Sequence, residues 1–187
     1  MKLRELLALI DTGHTFHFVD TETSGSSPAS SRVIELATVS LRHGRVVGRF
    51  ETLIDPGVHV PSWITRLTGI TGQMLVGAPA PAEAYAAWDA YLADVGHGAF
   101  VAHNAPFDWG FLNAEYARLE RPWPFERPHC TVRLARKCLP QLRSRSLQSL
   151  IAYYEIDVSA RHRALADAEA TAEVFNRLIA AITPASV

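Results

Sequence analysis

Apolar and polar positions change period along this chain, and the change divides it. Residues 14–20 (HTFHFVD) have the β-rich composition of a short strand, and 23–31 (TSGSSPASS) read as a loop. Residues 32–41 (RVIELATVSL) read as a strand, His43-Gly44 as a turn, and 45–54 (RVVGRFETLI) as the hairpin partner. Asp55-Pro56-Gly57 ends the hairpin, and 58–80 are irregular apart from a short helix and turn at ITRLTGIT. Helical spacing then takes over. Tyr85, Trp88, Leu92 and Val95 share one face of a helix over 83–95. Residues 98–103 (GAFVAH) suit a buried strand, and Asn104 is placed to cap a helix over 106–119 with Pro106 in its first turn. The proline-rich 121–128 breaks that helix, and further helices are expected at 130–139, 146–154 and 164–182. Three strands, a helix, a strand and then mostly helices predict an α/β layer fold with a mixed sheet.

Composition narrows the class. With 187 residues, 48% of them hydrophobic and 20% charged, the chain has the size and balance of one globular domain, with residues 1–14 as an N-terminal extension. No apolar run approaches a membrane span, and the N-terminal segment lacks a signal-peptide pattern. Cys130 and Cys138 are too few for a disulfide framework and show no zinc-ligand spacing, so a cytoplasmic location with reduced thiols is expected. The net charge of −1 conceals an asymmetry. Residues 118–145 hold seven arginines and Lys137 against Glu120 and Glu126, a net +6 that leaves −7 for the rest. That segment reads either as a solvated helix face or as a surface for a polyanion.

Four acids carry the candidate chemistry. Asp20 and Glu22 lie at i and i+2 at the end of the first strand, so both carboxylates share a face where α/β sheets usually place ligands. Two carboxylates this close repel unless a cation joins them, and oxygen donors favour Mg²⁺ or Mn²⁺ over zinc. Taken alone, the pair is more simply two solvated loop acids. Asp108 falls in the first turn of the helix after 98–103, and Asp167 in the first turn of the last helix, where the helix dipole already accounts for a negative charge. His162 precedes Asp167 in RHRALAD. No GxSxG elbow, Walker A or GxGxxG motif is present.

Together these segments say more. FVDTETSG (18–25), HNAPFDWGFL (103–112) and HRALADAEAT (162–171) resemble the three motifs of the DEDDh family of 3′→5′ exonucleases, which includes the proofreading epsilon subunit of bacterial DNA polymerase III. ITRLTGIT (64–71) resembles the segment between the first two motifs, so the likeness spans roughly residues 15–180. It implies an RNase H-like fold with a mixed five-stranded sheet flanked by helices. It implies that Asp20, Glu22, Asp108 and Asp167 hold two divalent ions, Mg²⁺ or Mn²⁺, and that His162 is the general base. One ion would lie mainly between Asp20 and Asp167 and the other near Asp20 and Glu22, with Asp108 joining directly or through water. Thr23, Leu67, Thr68 and Phe107 would line the pocket for the 3′-terminal nucleotide, although Leu67 and Phe107 also suit a core.

The resemblance implies a metal-dependent exonuclease acting from the 3′ end of single-stranded DNA, with DNA favoured over RNA by the TETSG signature. A 3′→5′ exoribonuclease of the same catalytic class is the near alternative, and a catalytically silent nucleic-acid-binding module a more distant one. The basic stretch, including Arg143 and Arg145, then becomes a candidate guide for single-stranded backbone. The last helix ends close to Val187, with no obvious tether or clamp-binding segment, so a free-standing enzyme is expected over a polymerase-bound subunit.

Overall fold

The computed structural model describes residues 3–158 and 162–182, with side chains from Glu5 onward. Its order is α1 (Leu3–Asp11), β1 (Thr15–Thr23), β2 (Val33–Arg42), β3 (Arg45–Leu53), α2 (Ser62–Thr68), α3 (Gly72–Leu75), α4 (Pro81–Val95), β4 (Gly98–Ala102), α5 (Pro106–Arg118), β5 (Pro128–Cys130), α6 (Thr131–Cys138), α7 (Leu147–Tyr154) and α8 (Ala164–Ala180). The strands form one mixed sheet in the order β3-β2-β1-β4-β5. β1–β2 and β2–β3 are antiparallel, whereas β1–β4 and β4–β5 are parallel.

Strand alternation sorts the core onto the two faces of this sheet. Val19, Leu36 and Phe100 point to one side, where Tyr85 and Trp88 of α4 and Phe111 and Tyr116 of α5 pack on them. The Trp88 indole N–H donates to Thr38 Oγ1 at 2.8 Å, which satisfies the one polar atom of a fully buried side chain. Phe16, Phe18, Val39 and Val101 point to the other side, under Ala168, Ala172, Phe175 and Leu178 of α8 and Leu134 of α6. The close approach of β4 to β1 requires Gly98, because a Cβ there would stand 2.2 Å from the Thr15 carbonyl oxygen.

Three elements differ from expectation. α1 is a helix, and its Leu6 is completely buried against the α8 side of the sheet. β5 starts at the last residue of the proline-rich stretch, just before the expected 130–139 helix, and pairs with β4 through Phe100↔Pro128 and Ala102↔Cys130. Its three residues are a strand because a parallel partner stands beside them. Asn104 is not the cap of α5. It turns the chain at φ 61°, a left-handed conformation that asparagine tolerates, and Ala105 takes the N-cap position. No described helix is long and apolar enough to cross a membrane.

Candidate active site

The register of β1 builds the site. Its parallel pairing with β4 runs from Thr15↔Gly98 to Phe18↔Val101, and β4 ends at Ala102. β1 continues to Thr23, still paired with β2 through Asp20↔Ala37, Thr21↔Leu36 and Glu22↔Glu35. Beyond Val19 it therefore overhangs its parallel neighbour. Alternate backbone N–H groups of a strand point to alternate neighbours, so this overhang leaves a donor facing the gap. Asp108, from the first turn of α5, fills it. Its Oδ1 accepts from the Thr21 N–H at 3.1 Å and from the Thr21 hydroxyl at 2.9 Å.

Asp20 and Glu22 project from β1 toward α8, on the face opposite Thr21. Asp167, in the first turn of α8, meets them there. Asp20, Glu22 and Asp167 each offer an oxygen lying within 4.8 Å of the others, and all three side chains are half-buried. Asp108 is the fourth expected ligand but stands apart from this cluster. It is buried and committed to Thr21, and its charge bears on both Asp20 and Glu22.

The carboxylates strain one another. Burial first, and then the charges of Asp108, Asp167, Glu22 and Glu35, hold Asp20 well above the ordinary carboxylate range. Glu22 is pushed to about 8, by burial and then by Asp167, Glu35 and Asp108, with Arg163 opposing. Burial lifts Asp108 to about 7 against the two Thr21 hydrogen bonds, which favour its charged form.

Arg163, whose charge opposes the Glu22 shift, is already engaged. Glu35, across from Glu22 on β2, is completely buried. Its Oε1 accepts from Arg163 Nη2 at 2.6 Å and Nε at 3.0 Å, and its Oε2 from the Ala164 N–H at 2.9 Å. One carboxylate thus ties β2 to the first residue of α8 and to the residue beside His162, itself at φ 56°. This pair fixes where Asp167 and His162 stand, and the motif reading did not include it. The signal was a glutamate inside the apolar run RVIELATV, at a position that strand alternation turns inward. On the other side of the sheet, Glu115 of α5 plays a similar part, with Arg32 Nε at 2.7 Å and Nη2 at 2.8 Å.

The pocket residues expected around the 3′ nucleotide divide. Leu67 on α2 is 49% exposed and free to contact a ligand, and Phe107 is partly buried, with its ring 4.9 Å from that of Phe111. Thr23 and Thr68 are buried, with hydroxyls engaged inside the protein. Thr23 donates to the Gly25 carbonyl at 2.6 Å, and Thr68 donates to the Ile64 carbonyl at 3.0 Å and accepts from the Ile70 N–H at 3.1 Å. Arg145 is likewise spent locally, on the carbonyls of Leu139 at 3.0 Å and Pro140 at 2.8 Å.

A motif match can arise without the geometry, but here the acids of three distant segments meet at one end of a sheet. The family model described as "Exonuclease" (RNase_T) matches residues 18–175, which contain all of them. The chain belongs to this exonuclease family. It is 37% identical over 166 residues to the DNA polymerase III subunit epsilon of Aquifex aeolicus, an alignment covering 88% of this chain and 80% of that one. It is 36% identical over 165 residues to the PolC-type DNA polymerase III of Oceanobacillus iheyensis, where the same 88% of this chain corresponds to only 11% of the much longer relative. Among solved structures, this exonuclease fold resembles the nuclease domain of 3′hExo, a DEDDh family member bound to rAMP, with a TM-score of 0.79 at 16% identity over 90% of this chain and 92% of that one. It also resembles Exonuclease X in complex with 5′ overhanging duplex DNA, with a TM-score of 0.71 at 23% identity over 89% and 92% of the two chains. These neighbours establish the RNase H-like fold of the exonuclease.

The donor set fits the divalent ions that such a fold implies. Three half-buried carboxylates converge through oxygen alone, burial and then neighbouring charges raise the pKa of Asp20 and Glu22, and Arg163 is bound to Glu35. Hard oxygen donors carrying negative charge suit Mg²⁺ or Mn²⁺.

Proposed function

We propose that this exonuclease is a divalent-metal-dependent enzyme that removes nucleotides from the 3′ end of single-stranded DNA in the cytoplasm, using His162 as general base. The convergence of Asp20, Glu22 and Asp167 oxygens within 4.8 Å carries the reading, because carboxylates drawn this close repel one another and a divalent cation between them would offset that repulsion. Asp20, Glu22 and Asp167 hold the ions, and Asp108 joins from the Thr21 side. Two such ions, when bound, relieve charge on the attacking and leaving oxygens of an in-line displacement. His162, on the turn that leads into α8, accepts the proton of the attacking water, the task of a positioned imidazole base. Leu67 and Phe107 form the apolar wall that holds the terminal base, and Thr23 and Thr68 shape its floor with their hydroxyls bonded inward.

Relatives named as a DNA polymerase III and as its subunit epsilon favour DNA over RNA. The same names make a polymerase the first protein partner to test. A neighbour bound to rAMP keeps an RNA substrate as the second reading. Competition between linear and circularised single strands, as DNA and as RNA of one sequence, tests both. Linear DNA is expected to be degraded fastest and the circle to persist. Circle cleavage at the linear rate contradicts the end requirement, and faster loss of RNA reverses the substrate assignment.

A further inference from the structure

The seven arginines of the basic stretch at 118–145 resolve into two groups. Arg118 and Arg121 are paired with Glu115 and Asp89, Arg127 lies 3.5 Å from Glu5, and Arg145 is bonded to carbonyl oxygens. These four are committed to partners within the chain. Arg133, Arg136 and Arg143 are different, being exposed and having no hydrogen bond or ion pair among the described residues.

Their segments are anchored at one place. Thr131, the first residue of α6, exchanges a hydrogen bond with His103 Nδ1 at 2.9 Å and donates to the Ala102 carbonyl at 3.5 Å. His103 also meets the backbone of Arg145. It is the residue that follows β4, and β4 ends beside the overhang of β1 that carries Asp20 and Glu22. Arg133 therefore stands two residues after one anchor and Arg143 two residues before the other. Arg136 follows Arg133 at i+3, on the same face of α6, while Leu134 and Ala135 turn inward onto the α8 side of the core.

We infer that Arg133, Arg136 and Arg143 form a cationic rim beside the catalytic end of the sheet, which binds the backbone phosphates of the single strand upstream of its 3′-terminal nucleotide. The inference rests on the proposed function, and it assigns the partner by charge. Three unpaired guanidiniums on an otherwise acidic chain suit a polyanion, and Arg favours phosphate through its fork of donors. The contacts read backbone and not bases, so the rim is indifferent to sequence.

The test is binding of a fluorescent single-stranded DNA 20-mer in Mg²⁺, with 3′-terminal phosphorothioate linkages to retard hydrolysis, from about 50 to 200 mM salt. Each phosphate contact on a single strand adds roughly −0.7 to the slope of log affinity against log salt. The variant R133A/R136A/R143A is expected to flatten that slope by about 2, so the wild-type protein loses about 20-fold more affinity across the range. Arg127→Ala, at a paired arginine, is the control and is expected to keep the wild-type slope. An unchanged slope in the triple variant overturns the rim. So does equal flattening by Arg127→Ala, which would mean that net charge alone is felt. Wild-type degradation of the unmodified strand is read separately. Its absence refutes the proposed function, while the slopes still decide the rim.

Discussion

The carboxylate cluster is expected to make the metal-free protein lose stability as pH rises above neutrality. A carboxyl whose folded pKa is raised contributes stability that is fully present below its unfolded pKa and is lost as pH rises through the folded one. For Glu22 those limits are 4.5 and about 8. His17, His103 and His129 act in the opposite sense. Burial lowers each from 6.5 to about 4, so they add stability as pH rises between those values and nothing further above 6.5. The window that isolates the cluster therefore runs from about pH 6.5 to pH 8. Across it the native state gives up a proton that the unfolded state has already lost. Glu22 alone then lowers stability by about 1.5–2 kcal/mol, and Asp108, at about 7, adds roughly half as much. For a chain of this size, the Glu22 share lowers Tm by roughly 3–8 °C. A divalent ion at about 100 times its Kd returns about 2.7 kcal/mol. Calorimetric melts of chelated and Mn²⁺-loaded protein across the window measure both effects. Glu22→Gln removes the titrating charge, so its chelated form is expected to melt above wild type at pH 8 with a flatter profile. A chelated wild type whose Tm holds or rises from pH 6.5 to 8, or a Gln variant with the wild-type slope, refutes the reasoning.

His162→Ala is expected to lower single-turnover cleavage by roughly 10²–10⁴-fold while Mn²⁺ affinity, measured by calorimetry, stays near wild type. Loss of metal as complete as in Asp20→Ala makes His162 a ligand or a prop. Thr21→Val removes a 2.9 Å hydrogen bond to Asp108 and leaves the backbone one, so the Asp108 pKa is expected to rise further and activity at pH 7 to fall, with partial recovery at higher pH. NMR titration of Asp108 checks the direction, and an unchanged or lowered value contradicts it. Arg163→Met leaves the buried Glu35 carboxylate with only the Ala164 N–H and is expected to cost about 3 kcal/mol, the low end for a broken buried pair because Arg163 is 38% exposed. Adding Glu35→Gln is expected to restore part of that in urea melts, and no restoration means that the charge left behind was not the cause.

What could be read from the chain was local or repeated by motif. The hairpin of β2 and β3 and the helices α4 to α8 follow from short-range pattern, and the meeting of Asp20, Glu22 and Asp167 was legible only through the resemblance of their segments to the exonuclease motifs. What escaped it depends on distant partners. β5 is three residues whose strand character comes from pairing with β4. α1 is a short helix whose worth lies in Leu6 reaching a core built from the far end of the chain. The Glu35–Arg163 pair joins residues 128 positions apart, and neither carries a signature of the other. Asn104 misled because its composition suits both a cap and a left-handed turn, and only the sharp exit from β4 decides between them. The division of the arginines into paired and unpaired sets was likewise invisible, since it turns on acids supplied by α1, α4 and α5.

The most direct test is single-turnover cleavage of a 5′-labelled single-stranded DNA by metal-depleted protein, before and after Mn²⁺ is restored, with Asp20→Asn alongside. Wild-type protein is expected to be inert when depleted and, with Mn²⁺, to shorten the strand one nucleotide at a time from the 3′ end as a descending ladder, while Asp20→Asn stays inert in both. Cleavage that survives metal depletion, first products cut within the strand, or a wild-type ladder from Asp20→Asn would contradict a carboxylate-held metal centre acting from the 3′ end.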